Sequence, residues 1–256
     1  MATTDVDIKQ LFEAGAHFGH KTSRWHPKMA QYIHSKRGGI HVIDLNKTVV
    51  CLNEALDFIS KQAADGKQIL LVGTKRQSKE IIKNLATDTG MPYINERWLG
   101  GTLTNWTTIG GRVKHLKELE SRMATGELAN KYSKLEVQRY QEEIDSLNIS
   151  YGGIKELNGK PGAVFVSDTI HDNIAVKEAN KLGIPVIAIT DSNSDPSVID
   201  YPIPANDDAI KTIQLIADYI KSAITIGKSK VKPEADKDEK PETKTEAKTE
   251  AKKEDK

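Results

Sequence analysis

Cysteine, net charge and long apolar runs are all scarce in this sequence, and each scarcity excludes something. With one cysteine, Cys51, among 256 residues, no disulfide can form within the chain. Its neighbours Val49, Val50, Leu52 and Leu56 read as the apolar face of a helix, and a reducing compartment is the natural expectation. No stretch approaches the roughly 18 consecutive apolar residues that a spanning helix needs. Residues Met1 to Asp7 have neither the positive flank nor the apolar run of a signal peptide, so the expectation is a cytoplasmic, soluble protein with no membrane partner. Net charge is nearly zero, 37 Lys and Arg against 36 Asp and Glu, which argues against a nonspecific polyanion binder. Catalytic signatures are missing too. There is no Gly-x-Ser-x-Gly elbow, no reactive Cys-His pairing and no paired-carboxylate pattern, and the expectation is no enzymatic activity.

What is present is unevenly placed. Residues 1–110 hold 14 Lys/Arg against 10 Asp/Glu, net +4, and residues 151–227 hold 6 against 10, net −4. Between Glu13 and Asp44 stand Lys21, Arg24, Lys28, Lys36 and Arg37 without a single acid, the strongest local electrostatic signal in the chain. Within it, His17-Phe18-Gly19-His20-Lys21-Thr22-Ser23-Arg24-Trp25-His26-Pro27-Lys28 mixes cations with aromatic rings. Cations can neutralise phosphates while an aromatic ring stacks on a base or anchors the segment to the core, the usual construction of an RNA-binding segment. His17, His20 and His26 match no standard zinc spacing, so no metal is expected; a histidine site completed by a carboxylate such as Asp191 is the alternative.

Short apolar runs alternate with amphipathic stretches. Strands are expected at 40–44, 68–73, 93–94, 163–166 and 186–190, with helices at 46–64, 77–87, 173–182 and 207–226. Continuous apolar strands separated by helices imply an α/β fold, a doubly wound parallel sheet of about five strands covered on both faces. The alternation breaks at 107–150, where Val113, Leu116, Leu119 and Met123, then Val137, Tyr140, Ile144 and Leu147, recur at helical spacing on either side of Gly126. This segment, with 7 basic and 7 acidic residues in 111–150, is expected to be an antiparallel helical hairpin inserted in, and protruding from, a single domain of residues 1–227. From residue 228 the chain turns to Lys, Glu, Asp, Thr, Ala and Pro, a composition expected to give a charged, disordered tail over 228–256.

Two loops carry candidate chemistry. Gly73-Thr74-Lys75-Arg76-Gln77-Ser78 follows a strand and opens a helix, where backbone N–H groups can meet a phosphate. It is neither a Walker A loop nor a Gly-x-Gly-x-x-Gly turn. Asp168, His171, Asp191 and Asp195 fall at the carboxyl ends of strands, the usual place for ligands in open α/β sheets, although turn and cap chemistry explains them equally well. An enzyme or sensor for a phosphorylated small molecule, sited near Gly73 and Asp191, is therefore the alternative reading. In Arg97-Trp98-Leu99-Gly100-Gly101-Thr102-Leu103-Thr104-Asn105-Trp106, the tryptophans suit core anchoring and Arg97 an external contact.

Taken in order, several blocks resemble the family of the second protein of the bacterial small ribosomal subunit. They include Leu11-Phe12-Glu13-Ala14-Gly15-Ala16-His17-Phe18-Gly19-His20, Arg24-Trp25-His26-Pro27-Lys28-Met29, Gly39-Ile40-His41-Val42-Ile43-Asp44, Val72-Gly73-Thr74-Lys75-Arg76-Gln77, Arg97-Trp98-Leu99-Gly100-Gly101-Thr102-Leu103-Thr104-Asn105 and Tyr201-Pro202-Ile203-Pro204. The resemblance spans nearly all of residues 8–226. It implies a flavodoxin-like body with a helical hairpin, no cofactor and no homo-oligomer. It also implies binding to small-subunit ribosomal RNA near the head–body junction, contact with neighbouring ribosomal proteins, and docking of the large mRNA-binding one during translation initiation. Charge and loop placement, rather than the resemblance, select Lys21, Arg24, Lys28, Lys36, Arg37, Lys75, Arg76 and Arg97 as the expected RNA contacts.

Overall fold

The computed structural model describes residues 6–230, and the expected tail beyond Lys230 lies outside the described residues. Three apolar runs, Ile69–Val72 (β4), Ala163–Val166 (β6) and Val186–Thr190 (β7), are buried at every position. Such strands have no wet face, because helices cover both sides of a parallel sheet. With Tyr93–Ile94 (β5) and Tyr201–Pro204 (β8) they form a five-stranded parallel sheet in the order β5-β4-β6-β7-β8. Renumbered within the sheet this is 2-1-3-4-5, the flavodoxin-like order, with its topological switch point between β4 and β6.

Five parallel strands were expected and five are found, but their membership differs. The run at Ile40–Ile43 (β3) belongs to a separate antiparallel sheet with Phe18–Lys21 (β1) and Ile33–Arg37 (β2), in the order β1-β3-β2. Its place in the parallel sheet is taken by β8, whose Pro202 and Pro204 hid it from the apolar pattern; proline is tolerated there because β8 is an edge strand. The β2–β3 turn passes through Gly38 and Gly39 at φ +59° and +77°, the left-handed pair that a two-residue hairpin requires.

Alternate residues of the sheet feed two cores. On one face Ile69, Leu71, Phe165, Ile187, Ile189 and Ile203 meet Ile8–Glu13 (α1), Leu45–Ala64 (α2), Lys79–Thr89 (α3) and Ile210–Ser229 (α8). Helix α2 begins where the Asp44 side chain accepts a bond from Asn46 N, and it buries Thr48, Leu52, Ala55, Leu56, Ile59 and Ala63 at helical spacing. Helix α3 starts two residues later than expected and ends at Gly90, φ +62°. Helix α8 extends to Ser229, past the expected start of the tail.

On the other face Leu70, Val72, Val164, Val166, Val186 and Ala188 meet Asn173–Lys181 (α7) and the first turns of Trp106–Ala124 (α4), through Ile109 and Val113. The expected hairpin region contains α4, Glu127–Lys131 (α5) and Lys134–Tyr151 (α6). Its root is thus part of the main core. From Leu116 onward α4 packs on α6 instead, with Leu119 and Ile144, in a small core of its own. No described helix is long and apolar enough to cross a membrane.

Candidate nucleic-acid interface

The acid-free segment is the antiparallel sheet together with two 3-10 turns, Thr22–Arg24 and Pro27–Tyr32. Residues opposite one another in an antiparallel pair share a face. Lys21 and Arg37 both lie opposite Ile40, so two cations flank an exposed isoleucine in one row. Lys36 lies opposite His41 on the other face, with its Nζ 5.5 Å from the centroid of the Trp25 ring. That ring packs on His41 at 5.1 Å. Trp25 therefore anchors the segment, and both neighbours come from the chain itself. His41 is fully buried with neither ring nitrogen bonded; burial, and then the Lys36 charge, hold its pKa below the ordinary value.

This segment is fastened across the carboxyl ends of the parallel sheet. His20 N donates to Ser192 Oγ at 2.7 Å and His26 N to Ser192 O at 2.8 Å. Lys28 Nζ donates to Asp195 Oδ2 at 3.0 Å and to Ser197 Oγ at 2.5 Å. A Cβ on Gly19 would stand 2.8 Å from Ser192 Oγ, so only glycine lets the strand approach this closely.

Beneath it lies the switch-point cluster. Lys75 Nζ contacts Asp168 Oδ2 at 2.9 Å, Asp207 Oδ1 at 2.8 Å and Asp208 Oδ1 at 2.8 Å. His20 Nδ1 is 3.0 Å from Asp191 Oδ2, and its Nε2 is 3.5 Å from Asp208 Oδ2. Burial, reinforced by the charges of Asp168 and Asp191, pushes Asp207 up to about 7 despite the ammonium of Lys75. The Asp191 bond raises the His20 pKa above its ordinary value against the opposing effect of burial. Donor atoms of His20, Asp191 and Asp207 lie within 4.8 Å of one another, a set whose chemistry suits a divalent cation. The pairing of His20 with Asp191 is the alternative the sequence offered, whereas Asp207, brought in from the end of the neighbouring strand β8, was not among its candidates.

A phosphate fares badly in the same place. Asp168, Asp172, Asp191, Asp207 and Asp208 outnumber Lys75 and His20, and the Thr74 N–H expected to meet a phosphate donates to Asp172 Oδ2 at 3.2 Å. Thr74 Oγ1 gives its single proton to Asp172 Oδ1 at 2.6 Å while also contacting His171 Nδ1 at 2.7 Å. The hydroxyl is thus tied to a carboxylate and is not poised as a nucleophile.

The eight expected RNA contacts divide accordingly. Lys21, Arg24, Lys36 and Arg37 are exposed in one segment, and none of them forms an ion pair among the described residues. Lys28, although exposed, is latched to Asp195, and Lys75 is largely buried by its three carboxylates. Arg76 is exposed in the loop beside Lys75. Arg97 is exposed after β5, at the edge three strands away from β7.

Sequence reading also missed Glu178 of α7. Its Oε1 accepts from Trp98 Nε1 at 3.1 Å and Gly101 N at 2.7 Å, and its Oε2 from Leu103 N at 3.0 Å, Thr104 N at 3.1 Å and Thr104 Oγ1 at 3.1 Å. Burial alone would raise its pKa, but these donors hold it below the usual range. Trp98 is buried, as core anchoring predicts.

The strand-end crevice of a flavodoxin-like body is thus occupied by the chain's own ion pairs and overlaid by a cationic sheet. Residues 11–227 match the family Ribosomal protein S2. Among similar proteins, the small ribosomal subunit protein uS2 of Roseiflexus sp. (strain RS-1) is 49% identical over 225 residues, covering 88% of this chain and 86% of the relative. That of Dehalococcoides mccartyi (strain ATCC BAA-2100) is 46% identical over 232 residues, 91% and 94% of the two chains. That of Fusobacterium nucleatum is 49% identical over 222 residues, 87% and 90%. The chain belongs to the ribosomal protein S2 family, and its role is structural and non-catalytic.

Proposed function

We propose that this protein resides in cytoplasmic ribosomes, where it binds small-subunit ribosomal RNA through its cationic N-terminal sheet. There it contacts neighbouring ribosomal proteins, including the large mRNA-binding one, and so supports subunit assembly and translation initiation. One observation carries the reading: Lys21, Lys36 and Arg37 on the antiparallel sheet, and Arg24 in the turn that follows β1, stand exposed without an ion-pair partner among the described residues. Unpaired cations on a fixed scaffold suit phosphate oxygens, and they recognise the shape of an RNA backbone rather than base edges. Arg76 and Arg97 extend the surface, while Lys28 and Lys75 contribute by holding the segment and the crevice beneath it in place. Family membership and the small-subunit names of the relatives support the same assignment.

The test is co-sedimentation with small subunits on a sucrose gradient at moderate salt. Replacing Lys21, Arg24 and Arg37 by alanine should reduce the bound fraction several-fold, because each lost phosphate contact lowers affinity and its salt dependence. An unchanged bound fraction in a folded triple variant would remove the patch from the interface.

A further inference from the structure

All five donors to Glu178 belong to one seven-residue loop, Trp98 to Thr104. A carboxylate offers about four lone-pair sites, so this one is saturated. Its three backbone donors, Gly101, Leu103 and Thr104, are thereby turned toward α7 and committed to the carboxylate. Arg97 stands immediately before the loop and is exposed, whereas Trp98 is buried and bonded to Glu178. On the other side the loop runs into α4. Asn105 N donates to Gly101 O at 2.8 Å, and Asn105 Oδ1 receives the hydroxyls of Thr107 and Thr108. Helix α7, which supplies the carboxylate, packs on the same sheet face through Ala175, Val176 and Ala179.

We propose that Glu178 is a positioning residue for RNA binding: by suspending the 98–104 loop from α7 it fixes Arg97 and the root of α4 relative to the body that carries the cationic sheet. The inference rests on the function proposed above. Glutamine at this position keeps the shape but turns an NH2 group toward either the two donors of Oε1 or the three of Oε2, so at least two donors lose their acceptor. The loop then loosens while the sheet stays packed.

The experiment uses the full chain as wild type, E178Q, R97A and the double variant, competing for incorporation into small subunits. Amide hydrogen exchange is read in parallel at Gly101, Leu103 and Thr104 and at the central-strand amides of Leu71 and Phe165. The expected result is exchange at least tenfold faster at the three loop amides with Leu71 and Phe165 unchanged. Incorporation should fall several-fold in E178Q and in R97A, and no further in the double variant, because both substitutions disable the same contact. Losses that multiply in the double variant, or normal incorporation of an E178Q chain whose loop amides exchange faster, would overturn the proposal. Should E178Q fail to fold, T104V removes one donor of the five and runs through the same cycle with the same criteria. If both R97A and the triple alanine variant of the sheet incorporate normally, the underlying RNA-binding reading falls, and the role of Glu178 falls with it.

Discussion

Lys75 Nζ lies 2.8 Å from Asp207 Oδ1, joining the loop after β4 to the residues that precede α8 across the carboxyl ends of the sheet. The same ammonium serves Asp168 and Asp208. The strand-end crevice, the usual ligand site of open α/β sheets, is here occupied by the chain's own ion pairs, with carboxylates in excess.

Replacement of Lys75 by alanine should therefore destabilise the fold by about 3 kcal/mol, because Asp168 and Asp207 would remain buried without their cation. Urea denaturation measures this directly. A fully stable K75A protein that instead bound subunits with a weaker salt dependence would show Lys75 serving RNA rather than the fold.

Arg37 and Lys28 should behave differently although both are exposed cations of the same segment. Arg37→Ala removes an unpaired charge and should lower the slope of log affinity against log salt by about 1. Lys28→Ala removes a charge already matched by Asp195 and should leave that slope nearly unchanged. Equal slopes for the two variants would contradict this division.

Acid should weaken the N-terminal sheet through His41. Its pKa is lowered in the fold by burial and by Lys36, so the unfolded chain binds the proton more readily. This contribution to stability is intact above the unfolded value of about 6.5 and declines as pH falls below it. His41→Phe keeps a ring beneath Trp25 and removes the titration. The stability difference between H41F and wild type should grow in favour of H41F from pH 7 to pH 5, by at most ~1.4 kcal/mol per pH unit. A constant difference across that range would exclude His41 as the source. His20, whose pKa is raised, acts in the opposite sense and is common to both proteins.

Gly227 marks where α8 crosses α2. A Cβ there would collide with the Ser60 carbonyl oxygen and stand 2.6 Å from Ala63 Cβ. Gly227→Ala should cost about 1–3 kcal/mol by overpacking, although alanine is the better helix former. Thermal unfolding would detect it, and a stabilised variant would mean that the two helices separate without penalty.

Leu116 is fully buried between α4 and α6. Leu116→Ala should destabilise that helical pair by about 2–4 kcal/mol, speeding hydrogen exchange in the distal half of α4 and in α6 while β4 and β6 stay protected. Equal acceleration throughout would show that the pair and the body unfold as one unit.

The sequence by itself determined whatever depends on near neighbours. Buried parallel strands announced themselves as unbroken apolar runs at 69–72, 163–166 and 186–190, and α2, α7 and α8 by their spacing, because both signals are properties of a few consecutive residues. The cationic stretch from Lys21 to Arg37 was legible for the same reason. Only the tertiary structure decided which charges remain free. Lys28 and Lys75 looked like Arg24 and Arg37 until the fold brought Asp195, Asp168 and Asp207 to them from more than 90 residues away. Strand β8 was hidden by its prolines, β1 and β2 by their exposure, and β3 was assigned to the wrong sheet because an apolar run does not name its partner. Glu178 read as one more charge on a helix. Its importance comes from a loop about 75 residues earlier in the chain, and long-range hydrogen bonds of this kind leave no local pattern to read.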